Sequence, residues 1–298
     1  MTEPPSALGL KRLLVATDFS PRADVAMRRA VQIVSEHGAA LTLFHVSDPD
    51  ARDDALARQL ALDAEETLRR KIRALSLPDN AAATVRVATG KPFVEIIRRA
   101  RQERVELVIV GAHGQHFWKD LLLGTTAEKV ARKGDRPVLV VKRAPRGPYR
   151  RVLVPVDFSD HSRRALELAL QLAPRAQFHV LHVYQGFEAQ LRRAGLPVSE
   201  MVRHQRPLAK EARQEIDAFL GTIDHRGKPI RREVWNGRAH HEITRVARRL
   251  HADLVAVGTT GRTGLPYILL GSVAEHVLRE LSCDVLVARA GSARFKLP

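Results

Sequence analysis

The chain has 298 residues, 45% hydrophobic and 28% charged, which is material for two globular domains of ordinary size with real cores. No apolar run approaches the roughly 20 residues of a membrane span, the opening MTEPPSALGLKRLL lacks the basic start and apolar centre of a signal peptide, and Cys283 alone forms no intrachain disulfide, so a reducing cytoplasm is the expected setting. The net charge of +16 raises nucleic acid as a partner, but residues 1–147 carry 25 basic against 18 acidic side chains and residues 148–298 carry 24 against 15, with no basic tail. With only 5% aromatics to stack on bases, nucleic acid is not the expected partner.

In chain order, LLVAT (13–17) is an apolar strand that ends at Asp18, and residues 23–36 follow with helical spacing. LTLFHV (41–46) is the second strand. Residues 54–75 read as a helix too polar for a deep core. TVRVA (84–88) is a third strand, residues 92–104 a helix, LVIVGA (107–112) a strand, residues 125–133 a helix and VLVVK (138–142) the last strand. Strands this uniformly apolar, alternating with amphipathic helices, predict a parallel sheet covered on both faces and joined by right-handed crossovers.

The pattern then starts again. KRLLVATDFSPRADVAMRRAVQI (11–33) returns as RRVLVPVDFSDHSRRALELALQL (150–172), and GKPFVEIIRRARQERVELVIVGAHG (90–114) returns without a gap as GRAHHEITRVARRLHADLVAVGTTG (237–261). A period of almost 150 residues is a domain duplication. The expected architecture is two repeated open parallel five-stranded sheets with helices on both faces, of the Rossmann-like and flavodoxin-like kind. Residues 1–145 form the first domain and residues 149–298 the second. The linker 144–149 reaches at most ~20 Å, so the copies sit side by side. Residues 137–142 and 284–289 are the strands expected to pair edge to edge within the chain, hiding sticky edges; a homodimer is an alternative assembly.

Open α/β sheets bind ligands beyond the carboxyl ends of their strands, where strand order reverses. Asp18 and Asp157 end the first strands, Gly111/Gly114 and Gly258/Gly261 follow the fourth, and Gly124-Thr125 and Gly271-Ser272 open the last helices. A hydroxyl residue at a helix start caps backbone N–H groups, and those groups with the helix dipole also attract an anion. VGTTGRTGLPYILLGS (257–272) therefore has two readings: an ordinary turn with an ordinary cap, or a backbone cradle for phosphate. Neither GxxxxGK[ST] nor GxGxxG is present, so any phosphate here is held by amides.

The spacing Gly-x2-Gly-x9-Gly-(Ser/Thr) occurs in both copies, and with an aspartate ending the first strand it resembles the ATP-binding signature of the universal stress protein family. The resemblance covers nearly the whole chain, as a tandem member, and implies an adenine nucleotide alpha hydrolase-like fold. Carried over by position, it implies Pro155, Asp157 and Val183 for base and ribose, Gly258 beside the ribose, and Gly261, Arg262, Gly271, Ser272 and Val273 for phosphates. In the first copy the matching residues are Asp18, Val46, Gly111, Gly114, Gly124 and Thr125. That copy departs at Ala16 for proline, Gln115 for arginine and Thr126 for valine, and its insert QHFWKD is bulkier, so the tight site is expected in the second copy. The implied ligand is ATP, with magnesium as a candidate companion and Asp18 and Asp157 as candidates to hold it, although a helix-capping role competes for both. The implied function is a nucleotide-responsive stress protein with little turnover. The alternatives are a slow ATPase or nucleotidyl-transfer enzyme on the same site, or a basic scaffold acting without nucleotide.

Other residues invite chemistry that the pattern does not support. His240 and His241 are adjacent, about 100° apart on a helix, and do not clamp one ion. His45 and His182 sit at matching strand positions and are expected to hydrogen-bond across strands; His113 is expected on an exposed loop. Cys283 reads as a buried small residue, Trp118 and Trp235 as local packing. No Ser-His-Asp order, paired carboxylates or metal cluster is legible, so no catalytic residue is assigned.

Overall fold

The computed structural model describes residues 10–47, 54–112, 124–186, 198–225, 227–259 and 270–290. The first half runs β1 (Arg12–Thr17), α1 (Pro21–His37), β2 (Ala40–Ser47), α2 (Asp54–Ala74), β3 (Ala83–Thr89), α3 (Pro92–Gln102), β4 (Leu107–Gly111), α4 (Thr125–Lys133) and β5 (Val138–Val141). The second half repeats it as β6 (Arg151–Val156), α5 (Asp160–Leu172), β7 (Gln177–Tyr184), α6 (Val198–Gly221), β8 (Ile230–Asn236), α7 (Ala239–Leu250), β9 (Leu254–Gly258), α8 (Ser272–Glu280) and β10 (Asp284–Ala288). Local chemistry sets the ends. The Ser20 side chain accepts from the Ala23 amide at the start of α1, Pro21 follows at the first helical turn, and Gly38 closes the helix at φ 66°. As its polarity predicts, α2 buries only a stripe, with Ala64 and Leu68 inside and Leu56, Leu60 and Leu62 exposed.

The two expected sheets are fused into one. Ten strands run in the order β3-β2-β1-β4-β5-β10-β9-β6-β7-β8, parallel within each half and antiparallel only where β5 meets β10. There Val140 lies opposite Val285 and Val138 opposite Val287. The expected edge pairing thus forms within the chain, because both Val-Leu-Val strands are fully buried and their main-chain groups need partners. Alternate residues face opposite sides: Leu13 and Val15 join the core under α1 and α5, whereas Leu14 joins the core under α3, α4, α7 and α8. At the outer edges β3 and β8 are only half covered, so TVRVA exposes Thr84 and Arg86.

Charged side chains fasten the seam. Lys142 Nζ donates to the carbonyls of Leu278 (2.6 Å) and Leu281 (2.5 Å) at the C-terminal end of α8, and Arg289, its counterpart in the repeat, donates to the Arg132 carbonyl in α4 (2.7 Å). Each half therefore satisfies orphan carbonyls at the end of the other half's last helix. Asp284 is buried and accepts from the Lys142 amide (2.8 Å) and the Tyr149 hydroxyl (2.7 Å), with Arg29 Nε at 3.2 Å.

Candidate functional site

In the second half β6 is flanked by β7 on one side and β9 on the other, so strand order reverses at its carboxyl end. A cavity of about 250 Å³ opens there. Its lining includes Pro155, Asp157, Val183, Gly258, Gly271, Ser272 and Val273, so the sequence-derived residues within the described chain converge on one space. Gly261 and Arg262 lie outside the described residues. Sequence reading missed Ala239 and Ile243, one helical turn apart on α7, which give the cavity an apolar wall, and Thr259 at the end of β9.

The turn that presents Asp157 is built from Asp-Phe-Ser. Phe158 sits at φ 66°, a left-handed conformation uncommon for a bulky residue. Ser159 caps α5 by accepting from the Ser162 amide (3.3 Å), and Asp157 Oδ1 accepts from the Ser159 amide (3.2 Å) and hydroxyl (2.6 Å). The cap that competed for the aspartate thus belongs to the serine two residues on, and the aspartate fixes that serine. The first half repeats the device, with Asp18 Oδ1 accepting from the Ser20 amide (3.1 Å) and Phe19 at φ 64°. His182 Nδ1 lies 2.9 Å from the Val156 carbonyl and His45 Nδ1 2.8 Å from that of Thr17, the expected cross-strand bonds. Each ring also packs on the turn's phenylalanine, at 4.4 and 4.3 Å between centroids. Burial holds the His45 pKa below the usual imidazole value.

The other wall is the start of α8. Ser272 was expected to cap it; instead Gly271 is the cap residue and Ser272 the first helical residue, and the glycine brings no side chain to the first-turn amides. The Gly271 amide donates to the Thr259 carbonyl (2.6 Å), which ties the helix start to the end of β9. The first half matches this with Gly124 bonded to Ala112 (2.7 Å) and Thr125 opening α4. Gly271 to Ala274 line the cavity, so the first turn of α8 and the positive end of its dipole border it. Gly258 has a packing reason of its own: a Cβ there would lie 2.8 Å from the carbonyl carbon and Cβ of His161 in α5. At Gly111 the nearest atom would be the Arg22 carbonyl oxygen at 3.0 Å. Val46 packs half-buried on the α3–α4 core, and Gly114, His113, Gln115 and Trp118 lie outside the described residues.

Beside the cavity, the His240 ring lies 4.5 Å from that of His241 and 5.0 Å from that of His276, a third histidine that the adjacency argument did not reach because it sits on α8. Burial, then the neighbouring His241 and His276, keep His240 below the usual imidazole pKa. In the first half the counterparts of His240 and His276 are Phe93 and Lys129, which lie 5.4 Å apart, and Lys133 also stands over the Phe93 ring (5.0 Å). Trp235 packs locally, with Arg245 and Arg249 over its ring at 4.4 and 4.9 Å and its Nε1 donating to Glu233 (3.0 Å). Cys283 is buried and its thiol is pushed up to about 12.

Comparison with known proteins places this geometry. The model of the universal stress protein family matches residues 9–142 and again 148–289. A universal stress protein of Methanocaldococcus jannaschii is 34% identical over 142 residues, covering 47% of this chain and 82% of its own. Universal stress protein E of Salmonella typhi is 24% identical over 306 residues, covering 94% of both chains. A crystal structure of a universal stress protein from Archaeoglobus fulgidus shares the fold at a TM-score of 0.69 and 22% identity, covering 94% of this chain and 98% of that one.

Proposed function

The chain belongs to the universal stress protein family as a tandem member, and we propose that it is a nucleotide-responsive stress module in which residues 149–298 bind ATP with little turnover and residues 1–145 bind it weakly. One observation carries the reading: the start of α8, where a glycine is the cap residue, lines the same cavity as Pro155, Asp157 and Val183. The amides of Ser272, Val273 and Ala274 and the helix dipole suit a polyphosphate. The apolar wall of Val183, Ala239 and Ile243 suits a base. Asp157 lines the same cavity and would be the side chain to hold magnesium, its Oδ1 also accepting from Ser159. Little turnover is supported by the described lining: Asp157 Oδ1 accepts from Ser159 and His182 Nδ1 lies 2.9 Å from the Val156 carbonyl, so both already serve the fold. The absence of any membrane-length apolar helix among the described residues and the lone cysteine favour a cytoplasmic setting.

Isothermal titration of the full chain with ATP tests this. One tight site is expected, lost in Gly261→Asp, which sets a carboxylate against the phosphates, and kept in Gly114→Asp. Steady hydrolysis above about 1 per second, an ordinary enzyme rate, would replace the binding module with an ATPase. No heat and no copurifying nucleotide would leave a scaffold that works without one.

A further inference from the structure

The seam has two grooves that the internal repeat relates, and the linker fills one of them. Tyr149 stacks under the Arg29 guanidinium at 4.1 Å from the ring centroid and donates its hydroxyl to Asp284 (2.7 Å), while Arg29 also donates to the Gly147 carbonyl (3.0 Å). In the repeat Leu10 stands where Tyr149 does, Leu168 where Arg29 does and Pro137 where Asp284 does. Those three smaller or apolar residues, with Val105, line the second groove, a cleft of about 450 Å³ between α5 and the foot of the first half. Arg136 and Arg289 stand on its wall. Arg136 Nε is buried there without a hydrogen-bond partner, an expensive state for a charged donor.

Several carboxylates around the cleft are already committed. Glu106 accepts from the Lys11 and Arg12 amides (2.5 and 3.0 Å), Asp135 Oδ2 from Arg101 (2.8 Å), and Glu167 pairs with Arg164 at 3.5 Å. Asp160, in the first turn of α5, is the carboxylate that remains on the lining. The lining carries Arg136, Arg163, Arg164 and Arg289 against Glu106, Asp135, Asp160 and Glu167, so its formal charge is balanced, and the buried Arg136 Nε that lacks an acceptor, not net charge, is what favours an anionic group. Asp135 Oδ1, buried and also without a partner, suits a bridging water or a protonated headgroup oxygen.

We propose that this cleft is a second ligand site, separate from the nucleotide cavity, for a small organic anion: one carboxylate, sulfonate or phosphate group on Arg136, with the half-buried Pro137 beside it as the apolar contact. Its volume lies within the roughly 300–1,000 Å³ of ordinary small-molecule sites. The site does not depend on the nucleotide reading, because none of these residues lines the first cavity.

Fluorescence titration of the full chain with 8-anilino-1-naphthalenesulfonate tests it, with and without saturating ATP. Saturable binding that ATP leaves unchanged is expected. Arg136→Gln should weaken it at least tenfold, and Leu10→Tyr, which supplies the ring that fills the other groove, should block it. Thermal melting checks that both variants fold; if Leu10→Tyr does not, Arg136→Gln decides alone. Affinity unchanged in Arg136→Gln, or competition by ATP, overturns the proposal. A chain trimmed to residues 10–290 should bind as the full chain does, and a tenfold gain on trimming would assign the cleft to the chain's own ends and overturn it as well.

Discussion

Gly258→Ala is the sharpest single perturbation of the second site. The added methyl carbon would stand 2.8 Å from the His161 carbonyl carbon and Cβ and 3.0 Å from its oxygen, where ordinary contacts run from 3.4 to 4 Å. The obstacle is mostly backbone, so relief requires β9 or the first turn of α5 to move by roughly half an ångström. Overpacking of this kind costs about 1–3 kcal/mol, or a fall in Tm of roughly 2–5 °C at this size. The same movement shifts the Asp157-Phe158-Ser159 turn that faces the cavity, and each ~1.4 kcal/mol lost from binding is tenfold in affinity. Gly111→Ala is the internal control: its closest contact would be the Arg22 carbonyl oxygen at 3.0 Å, a milder clash in the half assigned the weaker site. Differential scanning fluorimetry and ATP titration of both variants give the comparison. A Gly258→Ala protein that melts and binds like the parent would refute the argument that this glycine is demanded by close approach. An equal loss of affinity in both variants would refute the assignment of the tight site to the second half.

The seam supplies three further predictions. Burial pulls Lys142 down to about 8 from 10.5, so between those values the unfolded chain holds more protons than the folded one and stability rises with pH. Urea titrations at pH 7 and 9 should therefore show the parent gaining about 1.4 kcal/mol relative to Lys142→Met; a constant difference would mean that the ammonium is not desolvated. Asp284→Ala leaves Arg29 buried without its carboxylate and should cost about 3–5 kcal/mol, read as a lower urea midpoint and as faster trypsin cleavage at Arg146; a loss under 1 kcal/mol would mean the cluster contributes little. Cys283 should resist iodoacetamide at pH 8 in the folded protein and react in urea, since its thiol titrates near 12; labelling of the folded chain would place it outside the core.

The repeat, the strand–helix alternation and the seam were legible because each follows from periodic burial or from an exposed edge that needs a partner. VLVVK and DVLVA announce strands covered on both faces, and two such strands at the ends of two sheets have each other available. The converging site was legible for the same reason: strand ends and helix starts fix where Asp157, Gly258 and Gly271 must go. What escaped depends on contacts distant in sequence or on unusual backbone. Nothing in Asp-Phe-Ser marks its phenylalanine for a left-handed φ, so the sequence leaves the cap as a competing role for the aspartate, whereas the serine two residues on takes it. Gly271-Ser272 reads like a cap written one residue late. His276 joins His240 only because α8 packs on α7, and the approach of β9 to His161 that makes Gly258 obligatory spans nearly one hundred residues.

The two halves agree at their Asp-Phe-Ser turns and differ where they meet, and the difference has a topological cause. A linker leaves β5 and enters β6, so one groove of the seam receives Gly147 and Tyr149 by covalent necessity. The related groove lies beside Leu10 and Ala290, where no linker passes. Identical residues on both sides would then be wrong on one of them: an arginine in place of Leu168 and an aspartate in place of Pro137 would face a cleft without the tyrosine that bridges them, and buried charge without its partners is costly. The sequence carries the charged trio only on the linker side and the apolar trio on the other. Tandem fusion thus breaks the symmetry of the pair through three linked positions, and the groove that Arg136 lines is, among the described residues, the structural remainder of that break.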